Sequence, residues 1–167
     1  MQLRPLAAND LDLVAMWMGD KDTYQWLDFG AGLQVLTAPL LAVMSRRDVN
    51  YLRLFTSEAH DRPIGAVALS NMATAFGSAT LWYVLGDKAY AGRGYTRSAV
   101  GRLLATGFGE LGLTSVNAWA VETNHASVRI LQKNGFRLIG RQRRCHLLEG
   151  ELHDRLLFDL LATEHRL

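Results

Sequence analysis

Residues 124–140 read NHASVRILQKNGFRLIG, a helix punctuated at both ends. Asn124 and Ser127 stand at its start, where side-chain oxygens bond the free amides of a first turn. Leu131 continues its apolar face, Gly135 stops it, and Phe136 opens a strand. Upstream, residues 89–108 read AYAGRGYTRSAVGRLLATGF. Val100, Leu103, Leu104 and Phe108 recur there at helical spacing, with Gly92 and Gly94 at the helix mouth.

Glycine at such a mouth lets another molecule approach the backbone. The first turn of a helix carries amides without intrahelical partners, and aligned peptide dipoles add about half a positive charge. Together they form an anion site, to which Arg93 and Arg97 add charge-assisted bonds. A plain tight turn explains one G-x-G equally well. Two other phosphate loops are excluded by residue. The dinucleotide fingerprint needs glycine where Arg97 stands, and the Gly-Lys-Ser/Thr of a P-loop occurs nowhere.

Outward from these helices, the chain divides into two styles. Residues 2–6 form a short strand, and Asn9 or Asp10 caps a helix running through Met18. A second helix covers residues 37–45 with Pro39 in its first turn. Strands at 51–56 and 64–70 form a hairpin, and a further strand spans 79–85. Then come a helix at 93–111, a strand at 115–121, a helix at 124–134, and strands at 136–147 and 152–160. An antiparallel first half followed by strand–helix–strand units gives a mixed α/β (α+β) sheet in one domain, residues 1–167.

Composition narrows the function classes. No apolar run approaches the 18 to 20 residues of a membrane span, and the N-terminus lacks a signal peptide's pattern. One cysteine, Cys145, excludes internal disulfides and cysteine metal clusters, and His125 and His153 lack ligand spacing. A soluble cytoplasmic protein without metal is expected. The net charge of +2 argues against a dedicated nucleic-acid binder. Residues 1–83 carry six Lys/Arg and eight Asp/Glu, residues 84–167 twelve and eight, so an anionic ligand favours the second half. Alternation along a strand splits Arg141, Arg143 and Arg144 between faces. Trp17, Trp26 and Trp82 read as core or cleft wall.

The segment N-x-x-S followed by K-N-G-F, placed after G-R-G-Y-T-R, resembles the GNAT acyl-CoA-dependent N-acetyltransferases, most closely their RimJ/RimL-type branch. The likeness runs from Arg4-Pro5-Leu6 to the closing strand pair. It implies a seven-stranded, mostly antiparallel sheet flanked by about four helices, with a splayed central strand pair that holds acyl-CoA. The Gly92 and Gly94 turn then cradles the pyrophosphate of coenzyme A, with Arg93, Tyr95, Thr96 and Arg97 beside it. Tyr83, Val84 and Leu85 supply a backbone N–H that polarises the thioester carbonyl. Asn124, Ser127 and Lys133 hold the rest of the cofactor. Ala91 stands where the family has Gln or Arg, and Thr96 where it has Gly or Ala; a backbone cradle tolerates both.

The family's usual acid, a tyrosine seven residues after the asparagine, is replaced by Leu131. Ser127 is the remaining side chain for the departing thiolate, unless it only bonds the helix start or the pantetheine. Candidate bases are Glu122, favoured because it adjoins Asn124, His146, whose ordinary pKa near 6.5 suits proton abstraction, and Glu149, the weakest, in a turn; a bound water is the remaining alternative. The acceptor is expected against Tyr24, Trp26, Asp28, Phe29 and Glu149. It is an amine of a protein N-terminus or of a small molecule such as a polyamine, amino sugar or antibiotic. A homodimer fits the family. The alternative is a non-catalytic acyl-CoA-binding or sensing module.

Overall fold

The computed structural model describes residues 1–58, 60–73 and 75–165. Among them, seven strands form one sheet in the order β1-β2-β3-β4-β5-β7-β6. They are β1 (Leu3–Pro5), β2 (Tyr51–Thr56), β3 (Pro63–Ala73), β4 (Ser78–Leu85), β5 (Ser115–Val121), β6 (Arg137–Leu148) and β7 (Glu151–Leu161). The helices are α1 (Leu11–Gly19), α2 (Lys21–Tyr24), α3 (Ala38–Ser45), α4 (Tyr95–Gly109) and α5 (His125–Lys133). Neighbouring strands run antiparallel except β4 and β5, which are parallel. The expected mixed, mostly antiparallel sheet is the observed one.

Alternation along β4 builds a core on each face. Ala79, Leu81, Tyr83 and Leu85 point into the layer made with α4 and α5, where Val100, Leu103, Leu104 and Leu131 are buried. Trp82 and Val84 point the other way, toward Val14, Trp17 and Met18 of α1 and Leu41 of α3. Gly86, just past β4, lets the Trp17 indole lie against the backbone, because an added Cβ would collide with that ring. Loss of side-chain bulk there fixes how closely α1 approaches the end of β4.

Several local expectations change. Asp10 does not cap α1 through its side chain. Its carboxylate instead takes both Arg4 nitrogens, at 2.6 and 2.8 Å, and the Ala7 amide at 2.9 Å, tying β1 to the helix entry. The Arg4 hydrogen bond holds this carboxyl below its usual range against a smaller opposing effect of burial. The four-residue α2 is unforeseen, since one turn is too short to show a helical period. Strand β3 extends beyond 64–70, and α4 starts at Tyr95 because Gly94 is left-handed. No helix among the described residues is long and apolar enough to cross a membrane.

Candidate active site

The parallel pair β4–β5 holds together only from Ser78 and Ser115 to Thr80 and Asn117. Beyond it, β4 continues along β3 and β5 along β7, so the two strands part. The gap opens into a cleft of about 1060 Å³ that reaches both faces of the sheet. One end is lined by Gly92, Gly94 and α5, the other by α3 and the start of β4.

The backbone facing this gap follows from strand parity. Gly86 donates to the Ile64 carbonyl at 2.9 Å, and the β3–β4 register is unbroken from Gly65–Leu85 to Ser70–Thr80. Even-numbered amides of β4 therefore face β3, and odd-numbered ones face the opening. The carbonyls of Gly77 and Ala79, bonded from Thr114 and from Asn117, obey this rule. It turns the amides of Tyr83 and Leu85 toward the cleft and gives that of Val84 to Ala66. Val84, expected among the polarising amides, is instead a buried core residue. The Leu85 carbonyl accepts from Lys88 Nζ at 2.9 Å, and the same ammonium donates to Thr23 Oγ1 at 2.9 Å.

At the helix mouth, Gly92 and Gly94 have φ of +74° and +82°, values that side chains of L-residues rarely adopt. The first amide of α4 to bond back is Ser98, to Gly94 at 3.0 Å. The amides of Tyr95, Thr96 and Arg97 therefore have no helical partner and lie at the cleft wall. Arg97, Arg129 and Lys133 bring positive charge to the same wall. Arg93 is exposed and rests near the Tyr90 ring, outside the lining. These free amides and cations fit a pyrophosphate, and the unpaired edge of β4 fits an extended amide chain.

Asn124 caps α5, its Oδ1 accepting the Ser127 amide at 3.1 Å. Ser127 also lies 2.7 Å from the Tyr83 hydroxyl, which is 3.1 Å from the Ser127 carbonyl as well. Both residues line the cleft. Burial pushes the Tyr83 phenol above its ordinary range, the Ser127 hydrogen bond only partly opposing this. Leu131 is fully buried, so an acid there would need the core to be rebuilt. The side chain of Tyr83 is a feature that sequence reasoning missed, having used only its amide.

Among the acceptor residues, Trp26, Asp28 and Phe29 line the cleft. Phe29 packs edge-on to Trp82 at 5.3 Å. Tyr24 and Glu149 do not line it; Glu149 pairs with Lys21 at 3.1 Å on the surface. Asp28 accepts from Arg155 at 2.8 Å and from the amides of Gly30 and Gly32. Burial raises its pKa, yet these donors outweigh it and hold the carboxyl below its usual range. Arg155 also stacks on Trp119, its guanidinium carbon 4.0 Å from the ring centre.

None of the three candidate bases, Glu122, His146 and Glu149, lines the cleft. Glu122 is held by Arg141 at 2.7 Å and by the Asp154 amide at 3.2 Å. His146 is 2% exposed. Its Nε2 lies 2.7 Å from the Gln25 carbonyl and its Nδ1 2.9 Å from Arg155. A carbonyl only accepts and a guanidinium only donates, so the ring is neutral with the proton on Nε2. Burial, aided by Arg155, lowers its pKa against the opposing Gln25 carbonyl and Asp28. His146 has both ring nitrogens occupied and Glu122 stands outside the cleft, so neither is placed beside an acceptor amine. A depressed histidine pKa makes the unfolded chain bind more protons, so stability falls as pH drops through the ordinary range near 6.5 toward the folded value. Melting temperatures should show this acid-side decline in the native chain and a shallower one in His146→Gln. Turnover profiles of Glu122→Gln and His146→Gln should keep their acidic limb; its loss in either would return that residue to the role of base.

Among the described residues, no group of three or more His, Cys, Asp or Glu could hold a metal ion. A family model described as an acetyltransferase (GNAT) domain matches residues 1–137. The uncharacterized N-acetyltransferase p20 of Bacillus licheniformis is 24% identical over 99% of this chain and 94% of its own. Among solved structures, spermidine N-acetyltransferase from Vibrio cholerae, in complex with CoA and spermine, has a TM-score of 0.85 at 16% identity. That alignment covers 98% of this chain and 96% of the other. Mycobacterium smegmatis RimJ, in complex with CoA-disulfide, has a TM-score of 0.80 at 20% identity, covering 97% and 82%.

Proposed function

The chain belongs to the GNAT acetyltransferase family and is an acetyl-CoA-dependent N-acetyltransferase, and from that premise we propose how its cleft performs the transfer. The observation that carries the proposal is the parting of β4 from β5 beside the free amides of α4. Acetyl-CoA, when bound, supplies the thioester carbonyl and the thiolate that leaves. Gly92, Gly94 and the amides of Tyr95, Thr96 and Arg97 hold its pyrophosphate, with Arg97, Arg129 and Lys133 neutralising charge. The open amides of Tyr83 and Leu85 polarise the carbonyl oxygen. Asn124 fixes the start of α5 so that the Ser127 hydroxyl meets the departing sulfur.

Tyr83 orients that hydroxyl. Its phenol keeps its proton and stands 2.7 Å from Ser127 Oγ and 3.1 Å from the Ser127 carbonyl, so the phenol O–H turns from that carbonyl to Oγ when the serine O–H donates to sulfur. An α-amine of pKa near 8 is partly neutral at pH 7, so direct attack requires no protein base. The amine proton leaves through water. Mixing protein, acetyl-CoA and a panel of primary amines should release thiol in step with acetylated amine. Acetyl-CoA binding without any release would favour the sensing module instead.

The RimJ/RimL-type branch, with a protein N-terminus as acceptor, is supported by the likeness to RimJ; a small amine is supported by the likeness to the spermidine enzyme. The proposal places one domain over residues 1–167 in the cytoplasm, without a nucleic-acid partner, in keeping with Arg141 being tied to Glu122 and Asp154. Leu138 and Ile139, each 59% exposed on edge strand β6, support a homodimer.

A further inference from the structure

The acceptor half of the cleft runs along the Trp82 face of β4, and each of its two ends holds an unpaired side chain, a carboxylate at one and a guanidinium at the other. At the Leu85 end, Lys88 binds Thr23, which sets the adjacent Asp22 at the cleft wall beside the transfer point. Asp22 has no side-chain hydrogen bond or ion pair among the described residues, so an ammonium finds an open carboxylate there. At the Thr80 end lies Arg47. Its segment is bound to the strand ends, Asn50 bonding Arg47 and the Met72 amide bonding Val49, both within 3.0 Å. The Arg47 guanidinium also lacks a hydrogen bond or ion pair among the described residues, and it lines the cleft. Between the ends the wall is apolar: Leu36, Leu40 and Met44 face Phe29 and Trp82.

We propose that the acceptor is a primary amine on an apolar or aromatic body that ends in a carboxylate, the amine lying by Asp22 and the carboxylate by Arg47. This deepens the N-acetyltransferase reading and rests on it. Five residue rises separate Leu85 from Thr80, so the two ends of the site are roughly 17 Å apart. A polyamine is disfavoured by charge. Of the two carboxylates lining the cleft, Asp28 is already paired with Arg155, so a second and third ammonium find no open carboxylate and meet the unpaired Arg47 at the far end.

The test compares 3-[4'-(aminomethyl)biphenyl-4-yl]propanoate, its carboxamide, and spermidine, with an amide-capped Ala-Phe-Glu-Ala peptide to tell a free amine from a protein N-terminus. The acid should have the highest kcat/KM of the three small amines. Arg47 is exposed, so its contribution is that of a solvent-screened pair. Arg47→Glu should lower the acid-to-carboxamide ratio roughly three- to tenfold, Arg47→Lys should largely restore it, and added salt should shrink it. If the peptide shows the Arg47 dependence instead of the free acid, the same chemistry is met on a protein N-terminus. Preference for spermidine, an unchanged ratio in Arg47→Glu, or no turnover of any probe while acetyl-CoA still binds would overturn the proposal. Failure to bind acetyl-CoA would overturn the reading beneath it.

Discussion

Gly94→Val should weaken acetyl-CoA binding by about ten- to a hundredfold while the protein remains folded. The reason is the backbone, not a clash within the protein. An added Cβ at Gly94 meets no heavy atom within 4 Å, so nothing in the folded chain needs to move to admit it. The φ of +82° is the obstacle, since a β-branched residue there costs of order 1–3 kcal/mol or forces the turn to reopen. Reopening would swing the amides of Tyr95, Thr96 and Arg97 away from the phosphate they are placed to meet. Each 1.4 kcal/mol is a factor of ten in affinity. Titration calorimetry with acetyl-CoA measures the effect directly. Unchanged affinity in a folded variant would remove the pyrophosphate from this turn.

The second large effect should lie on turnover. Ser127→Ala removes the donor to the leaving sulfur, and a hydrogen bond to a charged group is worth about 1.5–3 kcal/mol. A fall in kcat of roughly ten- to a hundredfold is expected, with little change in acetyl-CoA affinity. Tyr83→Phe should give a smaller loss, because it disorients the serine without deleting it. The double variant should then be no worse than Ser127→Ala alone, since Tyr83 acts through the serine. Additive losses would mean that the two hydroxyls act separately. Weaker acetyl-CoA binding at unchanged kcat would make Ser127 a binding residue only.

The parts of this site legible in the sequence are those made by neighbours along the chain. Gly92 and Gly94 announce a turn because positive φ is a local requirement, and Asn124 with Ser127 announces a cap because capping spans three residues. The hydrophobic spacing of α4 and α5 similarly placed both helices. What stayed hidden are contacts between distant residues. Tyr83 meets Ser127 across 44 positions, and His146 meets Gln25 across 121. A histidine near the end of a strand looks available until the carbonyl and guanidinium that occupy both nitrogens are in place. Glu122 looked well placed because it adjoins Asn124, but the end of β5 turns it toward Arg141. Charge alone could not show that Asp28 is already answered by Arg155, on a strand 127 residues away.

One cleft open to both substrates lets acetyl pass directly from sulfur to nitrogen. Initial-rate kinetics, varying acetyl-CoA and amine together, test it most directly. Direct transfer in a ternary complex predicts intersecting double-reciprocal lines, with no acetylated protein detected when acetyl-CoA is added alone. Parallel lines together with an acetyl group on the protein, on Cys145 or elsewhere, would contradict the account.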